Sequence, residues 1–308
     1  MGYLDNGIWV DKWYDTSKSK GAFIRENSQF RHLISTEHPT FKPEKNRYHL
    51  YVSHACPWAH RTLIFRHLKQ LEDIISVSVV HPLMKEHGWV FKDELVDHLF
   101  NFSYLHQVYS HAKKDYSGRV TVPILFDKKT NQIVNNESSE IIRIFNTQFN
   151  ELTKNTSDFY PTHLQHEIDE INDLVYHNIN NGVYKCGFAT SQTVYENALQ
   201  NLFNCLDTLE LKLQDQNYLI NNQLTEADWR LFTTLIRFDA VYVGHFKCNI
   251  KQIRQYPNLF NYLKRLVNYP GIKQSIHMDH IKSHYYESHT MINPTGIIPV
   301  GPDINYDL

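Results

Sequence analysis

The sequence predicts an α/β domain followed by an all-α domain. From residue 48 to about residue 149, short β-branched runs alternate with helix-periodic stretches. Beyond residue 161 strand signals stop, and amphipathic helical patterns continue to residue 268. The length of 308 residues agrees, since about 150 residues per domain gives two.

Residues 1–46 are polar with scattered rings (Trp9, Trp13, Tyr14, Phe23, Phe30) and read as an extension that wraps the fold through them. Tyr48 to Val52 reads as a short buried strand. Pro57 then precedes a helix with Leu63, Ile64, Leu68 and Leu71 at helical spacing. Ile74 to Val80 is a second strand. A polar and aromatic insertion, 81–118, separates it from Val120 to Phe126, a strand pattern broken by Pro123. Asp127 to Gln132 makes a turn, Ile133-Val134 begins another strand, and Glu137-Ser138-Ser139-Glu140 opens a helix to about Phe149. The order β-α-β, insertion, β-β-α, with a right-handed crossover, is a thioredoxin-like arrangement over residues 47–150.

Asn150 to Pro161 is polar and reads as a linker. Helical stretches follow near 163–181, 190–215, 225–243 and 256–268, within a helical domain spanning 161–283; residues 284–308 form a tail. Thr225-Glu226-Ala227-Asp228 is a capping box, in which Thr225 caps the helix and Asp228 reaches back, a structural role.

Composition limits the function classes. Lys+Arg total 31 and Asp+Glu 33, a net charge of −2, and with 42% hydrophobic and 21% charged residues the chain is of the folded soluble kind. Without a long basic run, neither nucleic acid nor an anionic membrane is expected as a partner. No window approaches the roughly 18 apolar residues of a membrane span, and the N-terminus lacks a basic stretch followed by an apolar one, so no signal peptide is expected. Cys56, Cys186, Cys205 and Cys248 are far apart and form no small-domain disulfide framework, which fits a reducing cytoplasm. Of His277, His280, His284 and His289, the middle two are four apart, but no carboxylate or thiol stands at a matching spacing, so no metal is expected.

The chemistry centres on Ser53-His54-Ala55-Cys56-Pro57-Trp58-Ala59-His60-Arg61. Pro57 suits the first helical position, which places Cys56 at the cap, its sulfur facing free N–H groups and the positive end of the helix dipole. Such a place favours the thiolate and brings a thiol pKa from about 8.5 toward about 3.5–7.5. His60 or Arg61 either assists or faces solvent. Ala59 stands where a dithiol motif has its second cysteine, so the site needs an external thiol, in a cytoplasm usually glutathione. Pro123 inside a strand pattern marks an edge, a bulge or a cis bond. A cis bond would turn the Val122 N–H and C=O toward a bound peptide. At the next helix start, Ser138 and the free N–H groups suit a carboxylate and Glu137 an ammonium, the two charges of a γ-glutamyl end.

The sequence resembles the glutathionyl-hydroquinone reductases, or Xi-class glutathione transferases. The resemblance rests on YVSHACPWAHR (51–61), GRVTVPILF (118–126), IVNNESSEII (133–142), VYKCGFATSQ (183–192), RFDAVYVGHFKCN (237–249) and DHIKSHYYESHTMINPTGIIPVGP (279–302). It implies a glutathione transferase-like fold, a homodimer, glutathione as co-substrate, and Cys56 as nucleophile. By the same resemblance Trp89 covers the glutathione, Arg119, Val120, Thr121 and Val122 hold its backbone, and Glu137 and Ser138 bind its γ-glutamyl end. Tyr184 matches a proton donor and acceptor, while Tyr242 and Tyr285 match tyrosines lining an aromatic pocket. The implied reaction reduces a glutathionyl-hydroquinone to hydroquinone through a Cys56–glutathione mixed disulfide, which a second glutathione resolves to glutathione disulfide. The rival expectations are a general thioltransferase or dehydroascorbate reductase, and a non-catalytic glutathione-binding interaction module.

Overall fold

The computed structural model, which describes residues 2–308, begins with a hairpin: β1 (Tyr3–Asp5) and β2 (Ile8–Val10) pair antiparallel. Its two-residue turn is Asn6-Gly7, both at positive φ (47° and 79°), as a type I′ turn requires. The polar extension read from the sequence therefore contains regular structure. Its rings do act as anchors: Trp9 stacks on His106 at 4.8 Å and its Nε1 donates to the Glu86 carbonyl at 2.9 Å.

The main sheet is built on β3 (Tyr48–Val52), every residue of which is buried. The helix α1 (Pro57–Leu68) leads to β4 (Ser76–Val79), which runs parallel to β3. The segment read as an insertion contains α2 (Leu105–Ala112), and β5 (Gly118–Arg119) closes the small sheet against β1. Then β6 (Ile124–Asp127) pairs antiparallel with β3, and β7 (Gln132–Asn135) with β6, giving the order β4-β3-β6-β7. The strand expected over 120–126 is thus shorter: residues 120–123 are irregular, and Pro123 has no N–H to give a ladder. The helix α3 (Ser138–Thr147) packs against α1. This is the thioredoxin-like domain.

The presumed linker holds a short helix, α4 (Asn150–Thr153), and is tied down by Lys69, which is buried and donates through Nζ to the carbonyls of Asn155 (3.0 Å) and Ser157. Helices then follow: α5 (Gln165–Val175), α6 (Gly182–Gly187), α7 (Gln192–Lys212), α8 (Glu226–Arg237), α9 (Pro257–Val267) and α10 (Met278–Ser288). Single π-helical turns, Tyr176–Asn180 and Phe238–Tyr242, follow α5 and α8. At the start of α8 the capping box is formed: Asp228 accepts from the Thr225 N–H at 2.8 Å and its hydroxyl at 3.2 Å, and also from Leu219 N–H and Tyr262 Oη.

The chain divides into two units. The first takes the residues up to Trp13, Glu26–Asp158 and His277–His284; the second takes Tyr14–Arg25, Phe159–Ile276 and Tyr285–Leu308. Among the described residues no helix is long and apolar enough to cross a membrane, and no group of three His, Cys, Asp or Glu is arranged to hold a metal ion.

Candidate active site

Cys56 occupies the N-cap of α1, with extended backbone (φ −77°, ψ 123°) and Pro57 directly after it. Its C=O accepts the first helical bond, from the His60 N–H at 2.9 Å. It is partly exposed, whereas Cys186, Cys205 and Cys248 are buried. Its sulfur does not cap an α1 N–H, as the sequence alone suggested; it lies 3.7 Å from the Val122 carbonyl oxygen, to which the thiol donates. The cis Val122–Pro123 bond thus lies beside Cys56.

The irregular stretch after β5 is held from beneath by a tyrosine. Tyr109 of α2, wholly buried, donates through its hydroxyl to the Thr121 carbonyl at 2.9 Å and accepts from Asn136 Nδ2 at 3.1 Å. One phenol therefore fixes the loop facing Cys56 to the residue preceding Glu137. Val120 and Val122 are buried. Arg119 donates through its guanidinium to the Lys12 carbonyl at 2.8 Å, lies 3.8 Å from Glu26, and sits over the Tyr3 ring.

Glu137 caps α3: Oε1 accepts from Ser139 N–H (3.1 Å) and Oγ (2.8 Å), and Oε2 from the Ser28 hydroxyl (3.2 Å). Burial opposes its charge, but these bonds and the nearby Arg61 guanidinium outweigh that cost and hold its carboxyl below the ordinary value. It is a carboxylate at neutral pH. Ser138, buried at the first turn of α3, lies 3.5 Å from Arg61 Nη1. His60 and Arg61 do not face solvent; both are buried. Arg61 stacks its cation over Trp58 at 4.8 Å, and so connects the cysteine helix with the start of α3. The sequence left open whether Arg61 assists or faces solvent, and its contact with Ser138 is one that spacing does not encode.

Trp89 is buried and stacks on His284 at 4.8 Å with an interplanar angle of 19°. His284 Nδ1 is 2.8 Å from the Pro82 carbonyl. This histidine thus serves as a ring support for the tryptophan.

The second unit gathers the three tyrosines. Tyr184 lies in α6, Tyr242 ends the π turn after α8, and Tyr285 lies in α10. The Tyr184 and Tyr285 hydroxyls are 2.6 Å apart, and Tyr285 and Tyr242 3.1 Å. Burial, then the neighbouring phenols, push the Tyr242 and Tyr285 hydroxyls well above their usual pKa, so both stay protonated and able to donate. Phe246 supports the cluster, with ring centroids 5.5 Å from each of the three tyrosines. Gly187 is needed there: a Cβ at this position would meet the Phe246 ring at 2.1 Å. Cys186 is a buried thiol beside Cys248.

Two family models match this chain: the glutathione S-transferase N-terminal domain over residues 55–148 and its C-terminal domain over residues 192–265. Glutathionyl-hydroquinone reductase YqjG of Escherichia coli is 53% identical, with 98% of this chain and 95% of that protein covered. Its glutathione-bound structure superposes with a TM-score of 0.91 at 50% identity, covering 100% of this chain and 97% of that one. Glutathionyl-hydroquinone reductase PcpF of Sphingobium chlorophenolicum is 50% identical over 98% of this chain and 96% of its own length. A Xi-class glutathione transferase from Natrialba magadii superposes with a TM-score of 0.93 at 45% identity, covering 100% and 95% of the two chains.

Proposed function

The chain belongs to the glutathione transferase family, among the Xi-class glutathionyl-hydroquinone reductases, and from that membership we propose how it reduces glutathionyl-hydroquinones. Glutathione is the co-substrate. The thioredoxin-like domain holds the tripeptide: Val122 pairs with its backbone, Arg119, Val120 and Thr121 complete that edge, Trp89 covers it, and Glu137 with Ser138 receive the γ-glutamyl charges. The tyrosines of the helical domain receive the hydroquinone ring.

Tyr184 gives its proton to the ring carbon bearing sulfur. The Cys56 thiolate attacks that sulfur, the carbon–sulfur pair returns to the ring, and hydroquinone leaves. The product on the enzyme is a Cys56–glutathione mixed disulfide. A second glutathione attacks it as thiolate, restores Cys56 and leaves as glutathione disulfide, while its proton replaces the one Tyr184 gave. The ring gains two electrons and the two glutathione sulfurs lose them.

The observation that carries this reading is the partly exposed Cys56 at a helix N-terminus, with alanine and not cysteine at position 59, so that no dithiol motif forms there. The hydrogen-bonded phenols support a ring substrate over the small disulfides of a general thioltransferase. The same reading expects a homodimer in the reducing cytoplasm. Its test is Cys56→Ser, which keeps glutathione binding, since a hydroxyl still fits the cap, but abolishes reduction, since an alkoxide is not available at neutral pH to exchange sulfur. Near-normal turnover by that variant overturns the assignment.

A further inference from the structure

The N-terminal segment 14–25 packs within the helical unit, and its last residue lies on the face of Tyr184. The Arg25 guanidinium carbon is 4.8 Å from the centroid of the Tyr184 ring and 5.4 Å from that of Phe23. Its Nε donates to Asn181 Oδ1 at 2.9 Å, and the buried Asn181 immediately precedes α6, which carries Tyr184. The segment is fixed just ahead of this contact. Phe23 packs edge-on to Phe188 at 5.2 Å, and the Thr190 N–H donates to the Gly21 carbonyl at 3.0 Å. The cation is therefore held over the ring by a built arrangement and not by a loose surface side chain.

A cation above an aromatic face is attracted to a neutral phenol ring, and more strongly to a phenolate, whose negative charge spreads into that ring. We propose that Arg25 is a positioning residue for the reaction, orienting Tyr184 and stabilising the negative charge that builds on it as its proton passes to the sulfur-bearing carbon. This rests on the reading of Tyr184 as the proton donor. Arg25 touches no reacting atom; it acts through the tyrosine. The Tyr285 hydroxyl lies 2.6 Å from that of Tyr184, and Arg25 places a charge over the ring.

The experiment compares Arg25→Met, which removes the charge at similar length, with Arg25→Lys, which keeps it. Each is assayed on a glutathionyl-hydroquinone and on a glutathione mixed disulfide of a small thiol, whose exchange at Cys56 protonates no carbon. On the conjugate, Arg25→Met is expected to lower kcat about tenfold with KM within about twofold, and Arg25→Lys to recover most of that loss. On the mixed disulfide both variants match the unaltered enzyme. Unchanged kcat on the conjugate in Arg25→Met overturns the proposal. So does an equal loss on both substrates, which would make Arg25 merely structural. An unaltered enzyme that exchanges the mixed disulfide but leaves the conjugate intact overturns the reduction reading together with this proposal.

Discussion

The Tyr184 hydroxyl lies 2.6 Å from that of Tyr285, which is itself 3.1 Å from Tyr242. Three phenols far apart in sequence thus form one buried hydrogen-bonded chain. In the proposed reaction Tyr184 gives up its proton, and Tyr285 can then donate to the oxygen left behind and Tyr242 to Tyr285.

That arrangement predicts a graded loss. Tyr184→Phe should lower kcat on a glutathionyl-hydroquinone about a hundredfold, the usual scale for a general acid. Tyr285→Phe should cost about tenfold, the worth of one hydrogen bond to a charged oxygen, and Tyr242→Phe less. Steady-state rates for the three variants check the order. Equal losses in all three, or none in Tyr184→Phe, contradict it.

Gly187 supports the same cluster through Phe246. Gly187→Ala places a methyl within 2.1 Å of that ring and must displace it from its packing on Tyr184 and Tyr242. Overpacking of this kind costs about 1–3 kcal/mol. Melting curves should show the loss, and kcat on the conjugate should fall with it. A variant with unaltered stability and rate is inconsistent with the close approach.

Glu137 caps α3, and the proposed function gives it a second role as ammonium ligand. Glu137→Gln keeps an acceptor for Ser139 N–H and removes the charge, so α3 keeps its cap. KM for glutathione should rise about tenfold or more, the scale of a charged hydrogen bond, with little change in melting temperature. An unchanged KM would leave Glu137 with the cap alone.

Arg47 and Asp127 form a buried pair at the end of the main sheet, with Nε–Oδ1 at 2.9 Å and Nη2–Oδ2 at 2.6 Å. Burial opposes the charge on Asp127, but Arg47, the Lys129 N–H and the Thr130 hydroxyl outweigh it and hold its carboxyl below the ordinary value. A carboxyl depressed on folding contributes stability above its unfolded pKa of about 3.9, and that contribution is lost as pH falls through the folded value. Asp127→Asn should therefore cost about 3–5 kcal/mol at neutral pH, by stranding a buried guanidinium. The gap to the unaltered protein should narrow below about pH 4. Denaturant unfolding across that range checks it; a gap constant with pH contradicts it.

What the sequence reveals follows from which signals are local. The strand at Tyr48–Val52, the N-cap at Cys56 with Pro57 behind it, and the capping box at Thr225 are each set by neighbours within a few residues, and each stands where its pattern indicates. The hairpin at Asn6-Gly7 was equally local, but its strands are three residues long and too short for an alternation to register. The part played by Arg61, which the sequence left open, and that of Tyr109, which it did not signal, were hidden for another reason. Their roles, at Ser138 and at Thr121 with Asn136, depend on contacts between elements that no spacing in the chain encodes. The direction of the Cys56 sulfur is of the same kind, since a carbonyl 66 residues away competes with the helix N–H groups. Of the phenols, only the family resemblance selected Tyr184, Tyr242 and Tyr285 from 19 tyrosines.

Intact-protein mass spectrometry after adding a glutathionyl-hydroquinone, with no free glutathione, tests the covalent step most directly. The reading predicts free hydroquinone in solution and a gain of one glutathione per chain, mapped to Cys56 and removed when glutathione is added. Hydroquinone release with no adduct on Cys56, or an adduct on another cysteine, would contradict it.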